Sequence, residues 1–263
     1  MRWLSVRVGI LLVALCLGLA PTPTMMGSAE AQTDAPDVLE IINRVQDLYR
    51  GDSSHGVATM EVVTEHWSRE VTIELWSLGE DHSLVRIQAP AKEAGTATLM
   101  ADEDIWNYLP KVDRTIKVPA SMMGGSWMGS HFTNDDLVQE SRLAADYDVE
   151  LTFDGERDGV RIWDLVLTPK PEAAVVWGRV EYTVRQSDFN PLRVSYYDED
   201  GELSRSMEWS EFKDFGGRVM PALMDMRPAD KPDERTTLRY DELQFGVDVD
   251  ESFFSLRTLQ SRR

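Results

Sequence analysis

The feature that most constrains the fold of this chain is a period-two alternation of apolar and polar residues that begins at Gly56. In residues 67–76 the odd positions hold Trp, Arg, Val, Ile and Leu, whereas the even positions up to 74 hold Ser, Glu, Thr and Glu. Successive side chains of a strand point to opposite faces, so this pattern predicts half-buried β-strands. Short turn sequences such as Asp154-Gly155 and Gly216-Gly217 separate such stretches, which favours an antiparallel sheet over βαβ units.

The same pattern, read along the chain, predicts a strand-rich fold with few helices. Strands are predicted at residues 57–62, 67–76, 82–89, 96–101, 105–109, 114–118, 147–153, 161–169, 178–186, 191–197, 203–212, 219–227 and 234–243. An amphipathic helix is predicted from residue 38 to a stop at Gly51, and a short helix after the capping sequence that starts at Thr133. A helical turn at residues 250–254 is expected to plug a barrel end with Phe253 and Phe254.

These elements predict a mainly β (α+β) fold. A large antiparallel sheet curls, and its concave side must be filled by side chains, helices or a ligand. We therefore expect an incomplete antiparallel β-barrel or curled sheet, with two or three helices covering the concave side. The composition shows no linker and no internal repeat, so residues 32–263 are expected to form one domain.

The N-terminus predicts export. Arg2 and Arg7 precede an apolar run at residues 8–20, and Ala29-Glu30-Ala31 has the form of a cleavage site, so residues 1–31 are expected to be a signal peptide. The single cysteine, Cys16, lies inside that run, so no disulfide, reactive thiol or cysteine metal site is expected in the mature chain.

The charge of the chain limits its partners. With 27 basic and 46 acidic residues, the formal net charge is −19. Nucleic-acid binding needs a basic face and is excluded, and tight docking on anionic lipid is disfavoured for the same reason. The charge is expected to keep the chain soluble and monomeric, and it could steer a basic partner.

Residues 121–132 form the most unusual segment. They combine three methionines, a tryptophan and a phenylalanine with three glycines. Glycine disfavours both regular structures, and methionine adapts to irregular apolar partners. The segment is therefore either a loop packed onto the core or a mobile lid over an apolar ligand.

Catalytic patterns are weak. The four histidines are separated by more than four positions and form no metal-binding motif, and Ser126 lacks the final glycine of a nucleophile elbow because Met128 stands there. Many carboxylates are present, but none forms a distinctive pair. We expect no enzyme activity, no cofactor and no metal.

The order of these parts resembles the outer-membrane lipoprotein-sorting proteins, a family of LolA-like periplasmic carriers. The residues that carry the resemblance are the sequence starting at Pro90-Ala91-Lys92, the hairpin Trp106-Asn107-Tyr108-Leu109-Pro110, the loop from Trp127 through Phe132 to Asp135-Asp136-Leu137, and the final Phe253-Phe254. The branch that it resembles most is often linked to transporters of the resistance-nodulation-division type. His131 stands where the loop pattern more usually has an acidic residue.

The resemblance implies an incomplete barrel with a lid, which holds acyl chains of a lipoprotein or lipid for transfer toward the outer membrane. The apolar contacts are then expected at Trp106, Tyr108, Met122, Met123, Trp127, Met128 and Phe132. Family carriers latch the lid with an arginine inside the barrel, and Arg69 is the candidate here, although it could equally be a surface residue. Two alternatives remain open: a non-catalytic accessory subunit of an inner-membrane transporter, and a hydrolase with an unrecognised site.

Overall fold

The structure is a computed structural model that describes residues 37–50, 52–79, 81–102, 104–139, 143–173 and 175–261. The predicted signal peptide, residues 1–31, and Cys16 within it lie outside the described residues. Within those residues, no helix is both long enough and apolar enough to span a membrane.

Thirteen strands form the fold. They are β1 (Ser53–Val63), β2 (Ser68–Leu78), β3 (His82–Ala89), β4 (Ala97–Ala101), β5 (Asp104–Leu109), β6 (Arg114–Lys117), β7 (Tyr147–Arg157), β8 (Val160–Pro169), β9 (Arg179–Arg185), β10 (Pro191–Tyr197), β11 (Leu203–Asp214), β12 (Val219–Pro228) and β13 (Arg235–Phe245). Each overlaps one predicted strand, because turn residues delimit most of the alternating stretches.

All thirteen strands belong to one antiparallel sheet in the order β6-β5-β4-β3-β2-β1-β13-β12-β11-β10-β9-β8-β7. Two meanders, β1–β6 and β7–β13, join where the first strand pairs with the last, with Met60 opposite Leu238. The sheet does not close, and β6 and β7 are its edges in the described part of the chain. The predicted fold class, an incomplete barrel or curled sheet, is confirmed.

The inner face of the sheet carries the main core. We define it by residues such as Met60, Ile73 and Leu165, each fully buried. Three helices pack there: α1 (Val38–Arg50), α2 (Asp136–Gln139) and α3 (Leu143–Asp146). The apolar stripe of α1 contributes Ile41 and Ile42, which are fully buried, as helical spacing predicts.

The outer face has a smaller apolar cluster of its own. Leu84, Leu99 and Tyr108 on β3–β5 are covered by Phe254 and by Leu259 of a short helix, α4 (Leu256–Leu259). The expectation that Phe253 and Phe254 plug a barrel end is therefore wrong. Both side chains instead pack on the apolar outer patch, which must be kept from water.

Candidate binding cavity and covering loop

A cavity of about 160 Å³ lies on the inner face. Its walls are mainly apolar. They are formed by Ile73, Leu75, Val85, Met100, Met224, Leu238 and Tyr240 from the sheet and by Trp127, Phe132 and Leu137 from the segment that covers it. A dry apolar cavity of about this size accommodates a benzene-sized molecule, so the space seen here admits a few carbon atoms and not a long chain.

One end of the cavity is polar. Ser54, Ser77 and Ser83 are directly opposite one another on β1, β2 and β3, and all three line the cavity. The hydroxyls of Ser54 and Ser77 are 2.6 Å apart and share a hydrogen bond. A row of hydroxyls beside an apolar wall gives the cavity two chemically distinct ends.

A second and smaller cavity, of about 20 Å³, lies farther along the same face. Leu143, Tyr182, Tyr196, Met207 and Met226 line it together with Phe132 and Asp136, which also line the first cavity. Phe132 and Asp136 therefore separate two parts of one apolar surface, and their displacement would join the two spaces.

The covering loop, residues 119–136, is held together by its own backbone. The amide of Trp127 donates to the carbonyl of Phe132 (2.8 Å), and the amide of Asn134 donates to the carbonyl of Gly125 (3.0 Å). Met128 and Gly129 turn the chain with positive φ angles of 50° and 70°. The loop is thus a compact hairpin-like unit.

Two aromatic side chains of the covering loop insert into the inner face. Trp127 is 5% exposed, and its indole Nε1 donates to Thr98 Oγ1 on β4 at 3.0 Å. Phe132 is 9% exposed and packs in the main core. Met128, partly buried, packs against the same core.

Polar contacts from separate strands fasten the loop to the sheet. From β2, Arg69 Nη1 donates to the carbonyl of Met128 at 2.5 Å, while its Nη2 pairs with Glu93. From β13 and the turn before it, Thr236 Oγ1 lies 2.8 Å from His131 Nδ1, and Glu234 Oε2 lies 3.1 Å from His131 Nε2. His131 therefore serves as an anchor at the position where the resembled loop pattern has an acidic residue.

The most buried anchor is Arg205 of β11, whose side chain is 5% exposed. Its guanidinium binds both carboxylate oxygens of Asp136 and also donates to the carbonyl of His131 at 2.9 Å. The rings of Trp177 and Tyr196 each have their centroid 4.5 Å from the guanidinium carbon. Burial opposes the charge of Arg205, but the attraction of Asp136, together with that of Tyr196 and Asp135, outweighs it and raises the pKa of the guanidinium.

The predicted site residues divide into two groups. Trp127, Met128 and Phe132 lie together at the inner face, and Arg69 reaches the same loop. Met123 is half-buried within the loop, while Met122 is 57% exposed.

Trp106 and Tyr108 lie away from the cavity, on the outer face opposite Leu99 and Ala97. Thr98, between those two partners, points to the inner face and meets Trp127. The alternation identifies which residues share a face but does not say which face is inner, and a shift of one residue exchanges them.

Sequence reasoning missed Arg205. A signal for it was present, because Arg205 occupies the same strand face as the buried Met207 and Trp209. A charged residue at an apolar position of an alternating strand is buried only with a partner. Among the described residues, no group of three or more His, Cys, Asp and Glu side chains is arranged to hold a metal ion.

The chain is similar to one family model and to several solved structures. A family model described as that of an uncharacterized protein matches residues 79–261. A solved DUF1329 family protein from Desulfovibrio piger has 22% identity and a TM-score of 0.76, over 84% of this chain and 97% of that one. No curated protein matches the sequence.

Two further solved structures share the fold. A domain from Vibrio parahaemolyticus described as an outer membrane lipoprotein-sorting protein has 22% identity and a TM-score of 0.75, over 85% of this chain and 98% of that one. A LolA superfamily protein from Nitrosomonas europaea has 23% identity and a TM-score of 0.72, over 85% of this chain and all of that one (100%). At these identities the likeness establishes a common fold.

Proposed function

We propose a function for this chain from the premise that it belongs to a LolA-like family: it is a periplasmic, non-enzymatic carrier that holds acyl chains of a lipid or lipoprotein against the inner face of its sheet. The observation that carries the proposal is the apolar cavity beneath a loop that is itself apolar on its inner side and fastened by polar contacts at its rim. Acyl chains need such shelter, since each buried methylene is worth about 0.8 kcal/mol.

The covering loop is proposed to be the lid. Trp127 and Phe132 occupy apolar surface that a cargo chain would take, so cargo and loop compete for the same wall. Displacing Phe132 would join the two cavities into a longer groove. In this proposal Trp127, Met128 and Phe132 contact either the sheet or the cargo, Arg69 latches the loop, and delivery toward the outer membrane ends when the loop returns.

The experiment compares two tryptophan substitutions on one strand. Leu75→Trp fills the cavity from β2, whereas Leu78→Trp places the same bulk on the outer face, where Leu78 packs with the outer cluster. We expect Leu75→Trp to reduce binding of a fluorescent acyl probe at least tenfold, and Leu78→Trp to bind like the unmodified chain. Native mass spectrometry of the exported chain identifies any lipid that co-purifies.

A chain that carries no lipid and ignores the probe would contradict the proposal. Equal binding by the two tryptophan variants would also contradict it, because the probe would then occupy another surface. An accessory role for a transporter, without cargo, would be the interpretation left by those results, and cross-linking in cells would test it.

A further inference from the structure

The β5–β6 hairpin reverses the charge of an otherwise acidic chain. The hairpin, residues 104–117, has two acidic residues, Asp104 and Asp113, and three basic residues, Lys111, Arg114 and Lys117. The chain as a whole has 46 acidic and 27 basic residues, so this stretch has the opposite sign of net charge. The argument that disfavours docking on anionic lipid rests on the net charge of the whole chain, so it does not apply to this edge of the sheet.

The hairpin also exposes apolar side chains. Val112 at its tip is 60% exposed, Ile116 is 45% exposed and Leu109 is 38% exposed. Leu109 is opposite Arg114 in the β5–β6 pairing, and Ile116 lies two positions farther along the same face. Apolar and basic side chains are thus interleaved on the hairpin at the edge of the sheet.

The acidic groups of the hairpin are already engaged. The hydroxyl of Tyr108 donates to Asp113 at 2.9 Å, and Asp104 pairs with Lys117 at 2.7 Å. Lys111 and Arg114 are exposed, and neither forms an ion pair with another described residue. The two cations are therefore available to an external partner.

Lysines on an edge strand can also serve to prevent strand addition from another molecule. That role would not require a local change of sign, since carboxylates repel equally well and are used on most of this chain. Three exposed apolar side chains on the same edge would work against such a protective role, because they favour association.

We propose that the β5–β6 hairpin is a docking site for a membrane surface that contains anionic lipid. Basic side chains are attracted to such a surface, and neighbouring apolar side chains enter the boundary between headgroups and acyl chains. The distant carboxylates of the protein do not cancel this attraction, because charges farther than about 8 Å are largely screened at physiological ionic strength.

Vesicle flotation tests the proposal with the exported chain. The vesicles are phosphatidylcholine alone and phosphatidylcholine with about a third phosphatidylglycerol. The unmodified chain should float preferentially with the anionic vesicles. The K111Q/R114Q variant should bind them about 25-fold more weakly, at about fivefold for each cation removed, and V112S/I116S should also lose binding.

Matched controls separate the hairpin from general surface chemistry. R193Q/K213Q removes two exposed basic residues elsewhere in the sheet, and L203S/V219S removes two exposed apolar ones. All variants share the N-terminus, so any contribution of residues 1–36 cancels. Circular dichroism verifies folding of each variant.

Retention of binding by both control variants supports the hairpin as the site. Equal flotation with both kinds of vesicle, or an equal loss in the control and hairpin variants, overturns the proposal. Flotation of the unmodified chain with neither kind of vesicle also overturns the proposal and leaves an anionic protein partner as the alternative.

Discussion

Substitution of Arg205 by alanine is the perturbation that best tests how the covering loop is held. The substitution leaves the carboxylate of Asp136 buried without its bidentate partner, and it removes the donor to the carbonyl of His131. Loss of one partner from a buried ion pair costs about 3–5 kcal/mol. The lost cation–π contacts with Trp177 and Tyr196 act in the same direction.

We therefore expect Arg205→Ala to lower the free energy of unfolding by at least about 3 kcal/mol, and the melting temperature by about 6–12 °C. Urea denaturation followed by far-ultraviolet circular dichroism measures the first quantity. Arg193→Ala is the surface control, since Arg193 is half exposed and lies 3.6 Å from Glu208. An exposed pair of that kind contributes at most about 1 kcal/mol.

A double variant distinguishes the stability of the whole fold from the attachment of the covering loop. Arg205→Met with Asp136→Leu replaces both charges by apolar groups of similar size, which is commonly close to neutral for stability. It cannot restore the bond to the His131 carbonyl, so amides of the loop such as those of Trp127 and Asn134 should exchange hydrogen faster. A cost below about 1 kcal/mol for Arg205→Ala, or a double variant as unstable as the single one, would refute the buried-pair reasoning.

Three further predictions concern the other anchors. Arg69→Gln removes a bond to the loop and should accelerate entry of a fluorescent acyl probe, measured by stopped-flow mixing. Trp127→Phe removes the donor to Thr98 and part of the buried ring volume, so urea unfolding should show a cost of about 1–3 kcal/mol. The hydrogen bond from His131 lowers the pKa of Glu234 below the ordinary 4.5, so the stabilisation is present above pH 4.5 and is lost as pH falls through the lowered pKa. Probe entry should therefore become faster in acid, and Glu234→Gln should abolish that dependence.

The strands could be predicted from the sequence because two local signals agree. Period-two alternation identifies the strands, and turns that contain glycine or aspartate delimit most of them. The helix at Val38–Arg50 follows from its apolar stripe in the same way. The pairing of β1 with β13 is different, because it joins residues almost two hundred positions apart and no local pattern determines it.

The anchors show where sequence reasoning fails and why. Arg69 was identified because it interrupts the apolar face of β2, and Arg205 interrupts the face of β11 in the same manner. The sequence does not reveal the partner of either arginine. Arg69 binds the carbonyl of Met128 and Arg205 binds Asp136, and both partners are far away along the chain. The face on which Trp106 lies was undetermined for a related reason, because alternation is symmetric between the two faces.

The size of the cavity and the strength of the anchors together indicate what could open the loop. The enclosed space admits a few carbon atoms, so a long chain must displace Trp127 and Phe132 from the inner face. Releasing three polar anchors at about 1–3 kcal/mol each costs about 3–9 kcal/mol. At about 0.8 kcal/mol for each buried methylene, roughly four to eleven methylenes offset that cost. If the chain is the proposed carrier, amphiphiles with fewer than about four methylenes are too small to open the loop, whereas an acyl chain of membrane length is long enough.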